Sequence, residues 1–277
     1  IIIVSFPVFV FGFFEDLTQS VTPKLRLFGS LISSVLFVII FDSKISNVGM
    51  FYIDIFLAYE TISMLFTVCC IIFLIQAFNI IDGLNGLSLS SAILILLSIS
   101  FISYDLQDKK IFQITILIIS LLLGVFLFNF PYGRIFIGDA GAYVTGFLIA
   151  TCTIILADNN KNLSPIVIVQ ILIFPAYELI RSIIRRIVTK KNILKPDKKH
   201  LHSLLFRFNK LRLNFQLLKL NSYTSFQIIL IQIINCLFVI TFYNNEIIIL
   251  CGIVFFIILY EVLYKYLLFK MRKPMLL

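Results

Sequence analysis

Long apolar runs with few charges dominate this chain, and they constrain its fold more than any other feature. We place nine such runs at 1–14, 25–41, 57–78, 87–104, 111–129, 138–157, 165–184, 225–243 and 246–267. A helix needs about 20 apolar residues to cross a bilayer, within a range of about 17–25. Because the runs are continuous and lack the alternation of barrel strands, the sequence predicts an all-α polytopic membrane protein with about nine transmembrane helices.

The composition supports one integral-membrane domain over 1–277. The chain is 60% hydrophobic and 13% charged, with a mean hydropathy of +1.06. A soluble domain carries about 45–50% apolar and about 25% charged residues. The segment from Ile1 to Phe14 is apolar and has neither the basic start nor the cleavage pattern of a signal peptide. We therefore expect it to be the end of a spanning helix whose beginning is missing.

The net charge of +9 is distributed unevenly between the two sides of the predicted membrane domain. Of the 23 Lys and Arg residues, only Lys44, Lys109, Lys110 and Lys161 fall in one alternating set of connections, and nineteen fall in the other. The positive-inside bias places the richer side in the cytoplasm. We therefore expect a protein of the inner (cytoplasmic) membrane whose polar clusters and active site lie on the cytoplasmic face. That side includes a basic, histidine-containing loop at 185–224, and we assign its charge to membrane topology and not to nucleic acid.

The polar stretch 129–146 interrupts two apolar runs and contains Asp139. A carboxylate at membrane depth costs roughly 2.5–3.5 kcal/mol, so Asp139 is a candidate functional residue. Gly138 and Gly141 would allow a phosphate or a metal to approach the backbone. Arg134 lies five residues earlier and is a candidate partner for Asp139 or for a substrate phosphate. The alternative is that Asp139 only caps the following helix.

Two adjacent carboxylates, Glu15 and Asp16, stand at the end of the first run. Their repulsion would be relieved by a cation, although an ordinary solvated helix end explains them equally well. Lys24 and Arg26 follow, either as ligands of a lipid phosphate or as common interfacial anchors.

A second cluster holds Asn79, Asp82 and Asn85, each three residues after the last. A helical or turn-like backbone would bring these polar ends together. Gly83 and Gly86 permit a tight reversal before the next helix. The alternative is a short loop of turn-forming residues.

The only two histidines, His200 and His202, lie two residues apart in the basic loop. On an extended backbone both would face the same way. No Cys or third His is close in sequence to complete a zinc site, so a diphosphate or lipid phosphate is the better ligand. The alternative is a solvated loop against anionic lipids. In the preceding run, we expect Glu178 to pair with Arg181 on one helix.

Together the four clusters resemble the polyprenyl-phosphate N-acetylhexosamine-1-phosphate transferase family, which includes relatives of the peptidoglycan translocase. The resemblance covers nearly the whole chain and rests on GFFEDL, QAFNIIDGLNGL, RIFIGDAGAYVTG and KPDKKHLHSLL. Three positions differ from the family pattern. Glu15 replaces an Asp, Asn85 replaces a second carboxylate, and Ser203 stands where many members have another His.

The resemblance implies transfer of a UDP-linked N-acetylhexosamine 1-phosphate to undecaprenyl phosphate, with release of UMP. The product would initiate a cell-surface glycan such as cell-wall polymer, lipopolysaccharide or O-antigen. The implied cofactor is Mg²⁺, with Mn²⁺ as an alternative. The implied partners are the lipid carrier, the nucleotide sugar and membrane lipids, and a homodimer is left open.

The resemblance also implies a role for each candidate residue. The expected catalytic residues are Glu15, Asp16, Asp82, His200 and His202. The expected substrate-binding residues are Lys24, Asn79, Asn85, Asn129 and Arg134. The expected metal ligands are Asp16 and Asp139. The alternatives from other classes are a lipid or sugar transporter or flippase, and an inactive relative that acts as an assembly scaffold.

Overall fold

The computed structural model describes residues 1–190, 192, 199–213 and 215–272. All regular structure in this part of the chain is helical, and a short 3-10 turn at Ile3–Ser5 precedes the first α-helix. The helices are α1 (Phe6–Thr18), α2 (Pro23–Phe41), α3 (Phe51–Leu57), α4 (Glu60–Ile81), α5 (Leu87–Asp105), α6 (Lys109–Asn129), α7 (Gly138–Asn159), α8 (Pro165–Ile171), α9 (Ile173–Val188), α10 (Leu201–Arg212), α11 (Leu217–Phe242) and α12 (Glu246–Arg272).

Seven of the described helices are long and apolar enough to cross a membrane: α2, α4, α5, α6, α7, α11 and α12. The predicted all-α polytopic fold is confirmed. The pair α8 and α9 would make an eighth span, but the two helices are bent by 79° from one another. The prediction of one continuous helix over 165–184 is therefore wrong. Pro175 explains the break, because proline lacks an N–H and its ring clashes with the carbonyl four residues earlier, which belongs to Ile171 at the end of α8.

Two described helices lie in connections that we predicted as loops. α3 belongs to the connection between α2 and α4, and α10 lies inside the basic segment 185–224. Residues 195–198 of the predicted histidine motif lie outside the described part of the chain. Among the described residues of this motif, those from Leu201 onward lie in α10 and not in an irregular loop.

Helix α7 is central to the bundle and packs closely on α1 and α4. A Cβ atom added to Gly12 of α1 would lie 2.6 Å from the Cα atom of Ala140. A Cβ atom added to Gly146 of α7 would lie 2.8 Å from the Cα atom of Ile75 on α4. Both contacts are backbone against backbone, which only glycine allows. This packing brings the end of α1, the end of α4 and the start of α7 together at one end of the bundle.

The opposite end of the bundle carries the few lysines of the charge-poor set. Lys44 follows α2 and pairs with Glu60 at the start of α4. Asp108, just before α6, accepts a hydrogen bond of 2.8 Å from Asn159 at the end of α7. The two sets of connections defined by charge thus correspond to the two ends of the folded bundle.

Candidate active site

The N-terminus of α7 is capped by a carboxylate from another helix. The first N–H groups of a helix have no partner within it, and Ile137 at the N-cap position offers no side-chain acceptor. Asp16, near the end of α1, supplies both acceptors. Its Oδ1 accepts the N–H of Asp139 at 2.8 Å, and its Oδ2 accepts the N–H of Ala140 at 3.0 Å. The helix cap that the alternative reading assigned to Asp139 is therefore provided by Asp16.

Gly138 is required where these two helices meet. Its φ of +63° lies in the left-handed region, which side chains with a Cβ atom rarely adopt. A Cβ atom at this position would also lie 2.5 Å from Oδ2 of Asp16. A larger residue would thus displace the carboxylate that caps α7.

The Asp139 side chain is held by two partners from other helices. Its Oδ2 lies 2.7 Å from Nη1 of Arg26 on α2, and its Oδ1 accepts a 3.0 Å hydrogen bond from Nδ2 of Asn79 on α4. The candidate partner Arg134 instead lies exposed, with its guanidinium 5.6 Å from the centre of the Tyr132 ring. From sequence alone we expect Arg26 to be a lipid ligand or an interfacial anchor, whereas in the structure it forms an ion pair with Asp139.

Glu15 and Asp16 face different partners although they are adjacent. Glu15 accepts the N–H of Val21 at 2.8 Å and also lies 3.8 Å from the Arg26 guanidinium. Lys24 is exposed in the first turn of α2. The acidic pair is thus separated into one carboxylate that faces the loop before α2 and one that faces α7.

Asp82 is the third carboxylate of this cluster and directly follows α4. It accepts a hydrogen bond from the Ser88 hydroxyl at the start of α5. The pKa of Asp82 is raised to about 6, mainly by burial and to a smaller extent by the negative charges of Asp139 and Asp16, while the Ser88 hydrogen bond opposes the increase. Asp16, Asp82 and Asp139 therefore share one electrostatic environment.

Asn85 and Asn129 fasten the loops around this cluster. Asn85 is buried, donates from Nδ2 to the Pro131 carbonyl at 3.2 Å, and donates its N–H to Oδ1 of Asn221 at 2.7 Å. Asn129 is also buried and donates to the Ile135 carbonyl at 2.6 Å, while its Oδ1 accepts the N–H of Gly86. Their contacts join the turn after α4 to the loop before α7. The spacing of three residues therefore does not bring Asn85 to the same partner as Asn79.

The two histidines are buried and parallel, with ring centres 5.6 Å apart and planes at 4°. His200 has an extended backbone, as expected, but Leu201 begins α10. His202 abuts the turn after α4, because a Cβ atom on Gly83 would lie 2.5 Å from its Nε2. Burial lowers the pKa of His202 to about 4, so its imidazole is neutral at physiological pH.

The predicted pair between Glu178 and Arg181 is wrong. Glu178 is buried, lies with Oε2 3.4 Å from Nδ1 of His200, and accepts the N–H of Leu201 at 3.1 Å. Arg181 lies 2.6 Å from Glu261 on α12. The sequence signal for Glu178 was a carboxylate inside an apolar run. Such a carboxylate needs a partner. Its spacing from Arg181 did not reveal that the partners are His200 and the Leu201 N–H at the start of α10.

The carboxylate cluster has the donor chemistry that Mg²⁺ prefers, which is oxygen. Asp16 and Asp139 are engaged by N–H groups and by Arg26, yet each carboxylate has about four lone-pair sites. Across the ranges described above, no three His, Cys, Asp or Glu side chains stand ready-made as a metal-binding group. The oxygen donors of Asp16 and Asp139 nevertheless fit a divalent cation, because a cation would offset the negative charge that these carboxylates bring together.

Comparison with known proteins matches residues 1–157 to glycosyl transferase family 4. This match contains the acidic pair, the turn after α4 and the start of α7. The chain is 33% identical over 143 residues to a probable undecaprenyl-phosphate N-acetylglucosaminyl 1-phosphate transferase of Bacillus subtilis. It is 26% identical over 203 residues to an undecaprenyl-phosphate alpha-N-acetylglucosaminyl 1-phosphate transferase of Thermotoga maritima. It is also 26% identical over 147 residues to a phospho-N-acetylmuramoyl-pentapeptide-transferase of Streptococcus agalactiae.

These alignments cover 51%, 73% and 52% of this chain and 40%, 60% and 43% of the respective relatives. The chain thus spans about half the length of the curated relatives it matches. The family match covers more than half of the chain and includes the three-carboxylate cluster. The protein belongs to glycosyl transferase family 4.

Proposed function

We propose that the protein transfers N-acetylhexosamine 1-phosphate from a UDP-sugar to undecaprenyl phosphate. An oxygen of the lipid phosphate attacks the phosphorus that carries the sugar. The bond from that phosphorus to the bridging oxygen breaks, and UMP leaves. The product is a sugar diphospho-lipid. The names of the relatives from Bacillus subtilis, a probable transferase of this kind, and Thermotoga maritima support this reaction class.

The observation that carries the proposal is the meeting of Asp16, Asp82 and Asp139 at one end of the bundle, where Arg26 pairs with Asp139. Phosphoryl transfer asks a protein mainly for positioning and for neutralisation of charge. A site at the helix ends, where the bilayer meets water, suits a lipid phosphate and a soluble nucleotide sugar together.

We further propose that Asp16 and Asp139 hold Mg²⁺ or Mn²⁺, which would neutralise charge on the reacting phosphates, with Asp82 beside them as a catalytic carboxylate. Arg26 and Lys24 lie at the start of α2, where their positive charges would bind the lipid phosphate. Asn79 would orient the nucleotide sugar through its amide. The neutral His202 and its neighbour His200 would donate hydrogen bonds to the diphosphate as negative charge moves to UMP.

The charge distribution supports a cytoplasmic site in the inner membrane. The end of the bundle that carries the carboxylates also carries the connections rich in Lys and Arg. The positive-inside bias places these connections in the cytoplasm.

The position of the charged groups favours an enzyme over a transporter. Transporters place their substrate sites near the middle of the bilayer, in broken helices. Here Asp16 lies near the end of α1, Asp82 follows α4, and Asp139 lies in the first turn of α7. The break between α8 and α9 contributes none of these three carboxylates.

The test uses protein expressed from its complete reading frame and purified in detergent. UMP release is measured with undecaprenyl phosphate, Mg²⁺ and UDP-N-acetylglucosamine, followed by other UDP-amino sugars. Release that requires both the lipid and the metal, and that is lost in Asp139→Asn, supports the proposal. The control variant is Lys44→Met, at the opposite end of the bundle. Folded protein that releases no UMP from any of these donors would refute it.

A further inference from the structure

The start of α10 is capped in the same way as the start of α7, by a carboxylate from another helix. His200 occupies the N-cap position of α10 and makes no side-chain cap. The N–H of Leu201 instead donates to Oε1 of Glu178 on α9 at 3.1 Å. Because a negative charge near a helix N-terminus is stabilising, Glu178 fixes where α10 begins.

The second oxygen of the same carboxylate faces the histidine pair. Oε2 of Glu178 lies 3.4 Å from Nδ1 of His200, and both side chains are buried. The His200 ring stacks in parallel on His202, whose Nε2 abuts Gly83 beside Asp82. A continuous series of contacts thus runs from α9 to the turn that carries Asp82.

We propose that Glu178 is a positioning residue for the histidine pair, which it holds against the turn after α4. It acts through His200 and the start of α10 and does not itself touch substrate. The kinetic part of this proposal rests on the proposed transferase function. The structural part, that Glu178 keeps both imidazoles buried and ordered, does not.

The structural part is tested by chemical modification of histidine with diethyl pyrocarbonate. The chain contains only two histidines, so protein purified without a histidine tag reports on this pair alone. Glu178→Gln keeps the size of the side chain and removes its charge. We expect its histidines to react about tenfold faster, because loss of a charge-assisted contact raises local opening.

The matched control is Glu261→Gln on α12. It removes the carboxylate that pairs with Arg181, which lies on α9 as Glu178 does. We expect its histidines to react at the wild-type rate. Equal rates in wild type and Glu178→Gln would overturn the proposal, as would equal acceleration in both variants. If Glu178→Gln fails to fold, Glu178→Asp, which keeps the charge but shortens its reach, is judged by the same criteria.

The kinetic part is tested by combining Glu178→Gln with His200→Gln. Glu178→Gln alone is expected to lower kcat by about 10–100-fold, the range for groups that orient a functional histidine. If Glu178 acts through His200, the double variant is no slower than the slower single variant. Multiplied losses would overturn the proposal. If wild-type protein transfers no sugar phosphate, the proposed function fails, and the modification rates still decide the role of Glu178.

Discussion

Gly12→Ala tests whether the close contact between α1 and α7 sets the geometry of the site. The new Cβ atom would meet the Cα atom of Ala140 at 2.6 Å, whereas ordinary contact begins at 3.4 Å. α1 must therefore retreat by about 0.8 Å. A retreat of that size along the bonds from Asp16 to the start of α7 would lengthen them from 2.8 and 3.0 Å to beyond the usual limit of about 3.2 Å.

Overpacking of this kind costs about 1–3 kcal/mol of stability. A misplacement near 1 Å in a site can cost about 100-fold in rate. We therefore expect Gly12→Ala to lower kcat/KM for UMP release by one to two orders of magnitude, with a small decrease in Tm.

Gly124→Ala in α6 is the matched control for this prediction. A Cβ atom there has nothing within 4 Å, so the substitution adds helix propensity without a clash. We expect unchanged kinetics and an unchanged or higher Tm. Wild-type activity in Gly12→Ala, or an equal loss in Gly124→Ala, would refute the assignment of site geometry to the α1–α7 contact.

Three further predictions follow from the site. Arg26→Gln leaves the carboxylates of Asp139 and Glu15 without their basic partner. Because the ion pair is partly exposed, we expect the free energy of unfolding to fall by about 1 kcal/mol, measured by thermal unfolding in detergent. The pKa of His202 is about 4 in the folded protein and about 6.5 in the unfolded chain. As pH decreases from 7 to 4 the unfolded chain therefore takes up a proton first, and we expect the free energy of unfolding to fall by about 3 kcal/mol. His202→Gln should weaken this dependence of stability on pH. An equal dependence in wild type and His202→Gln would contradict the prediction. Gly138→Ala should displace Asp16 and abolish UMP release, whereas undiminished release would exclude the role of Asp16 at α7.

The fold was largely predictable because bilayer thickness fixes the length of an apolar run. The runs at 57–78 and 87–104 correspond to α4 and α5 to within a few residues. The ends were less predictable, since a helix continues into polar sequence beyond the apolar core. α1 therefore extends through the acidic pair to Thr18, and α11 begins at Leu217, eight residues before the predicted span.

The sequence could single out the polar residues that the structure brings together at the candidate site, but not their contacts. Polar side chains that interrupt apolar runs marked Asp16, Asn79 and Asp139, because each is costly to place there without a purpose. Spacing along one helix could not show that Arg26 from α2 reaches Asp139. For the same reason, spacing predicted a pair between Glu178 and Arg181. In the structure the partner of Glu178 comes from the start of α10, and the partner of Arg181 comes from α12. Contacts between distant segments are set by helix packing, and local sequence carries little information about them.

The most direct test of the central claim is the chemical identity of both products. UDP-N-acetylglucosamine labelled with ¹³C in its sugar would be incubated with the protein, undecaprenyl phosphate and Mg²⁺, and both phases analysed by mass spectrometry. We predict equal amounts of UMP and a labelled sugar diphospho-lipid, and neither product with Asp139→Asn. Release of UDP with a labelled monophospho-lipid, or unchanged product formation by Asp139→Asn, would contradict the account.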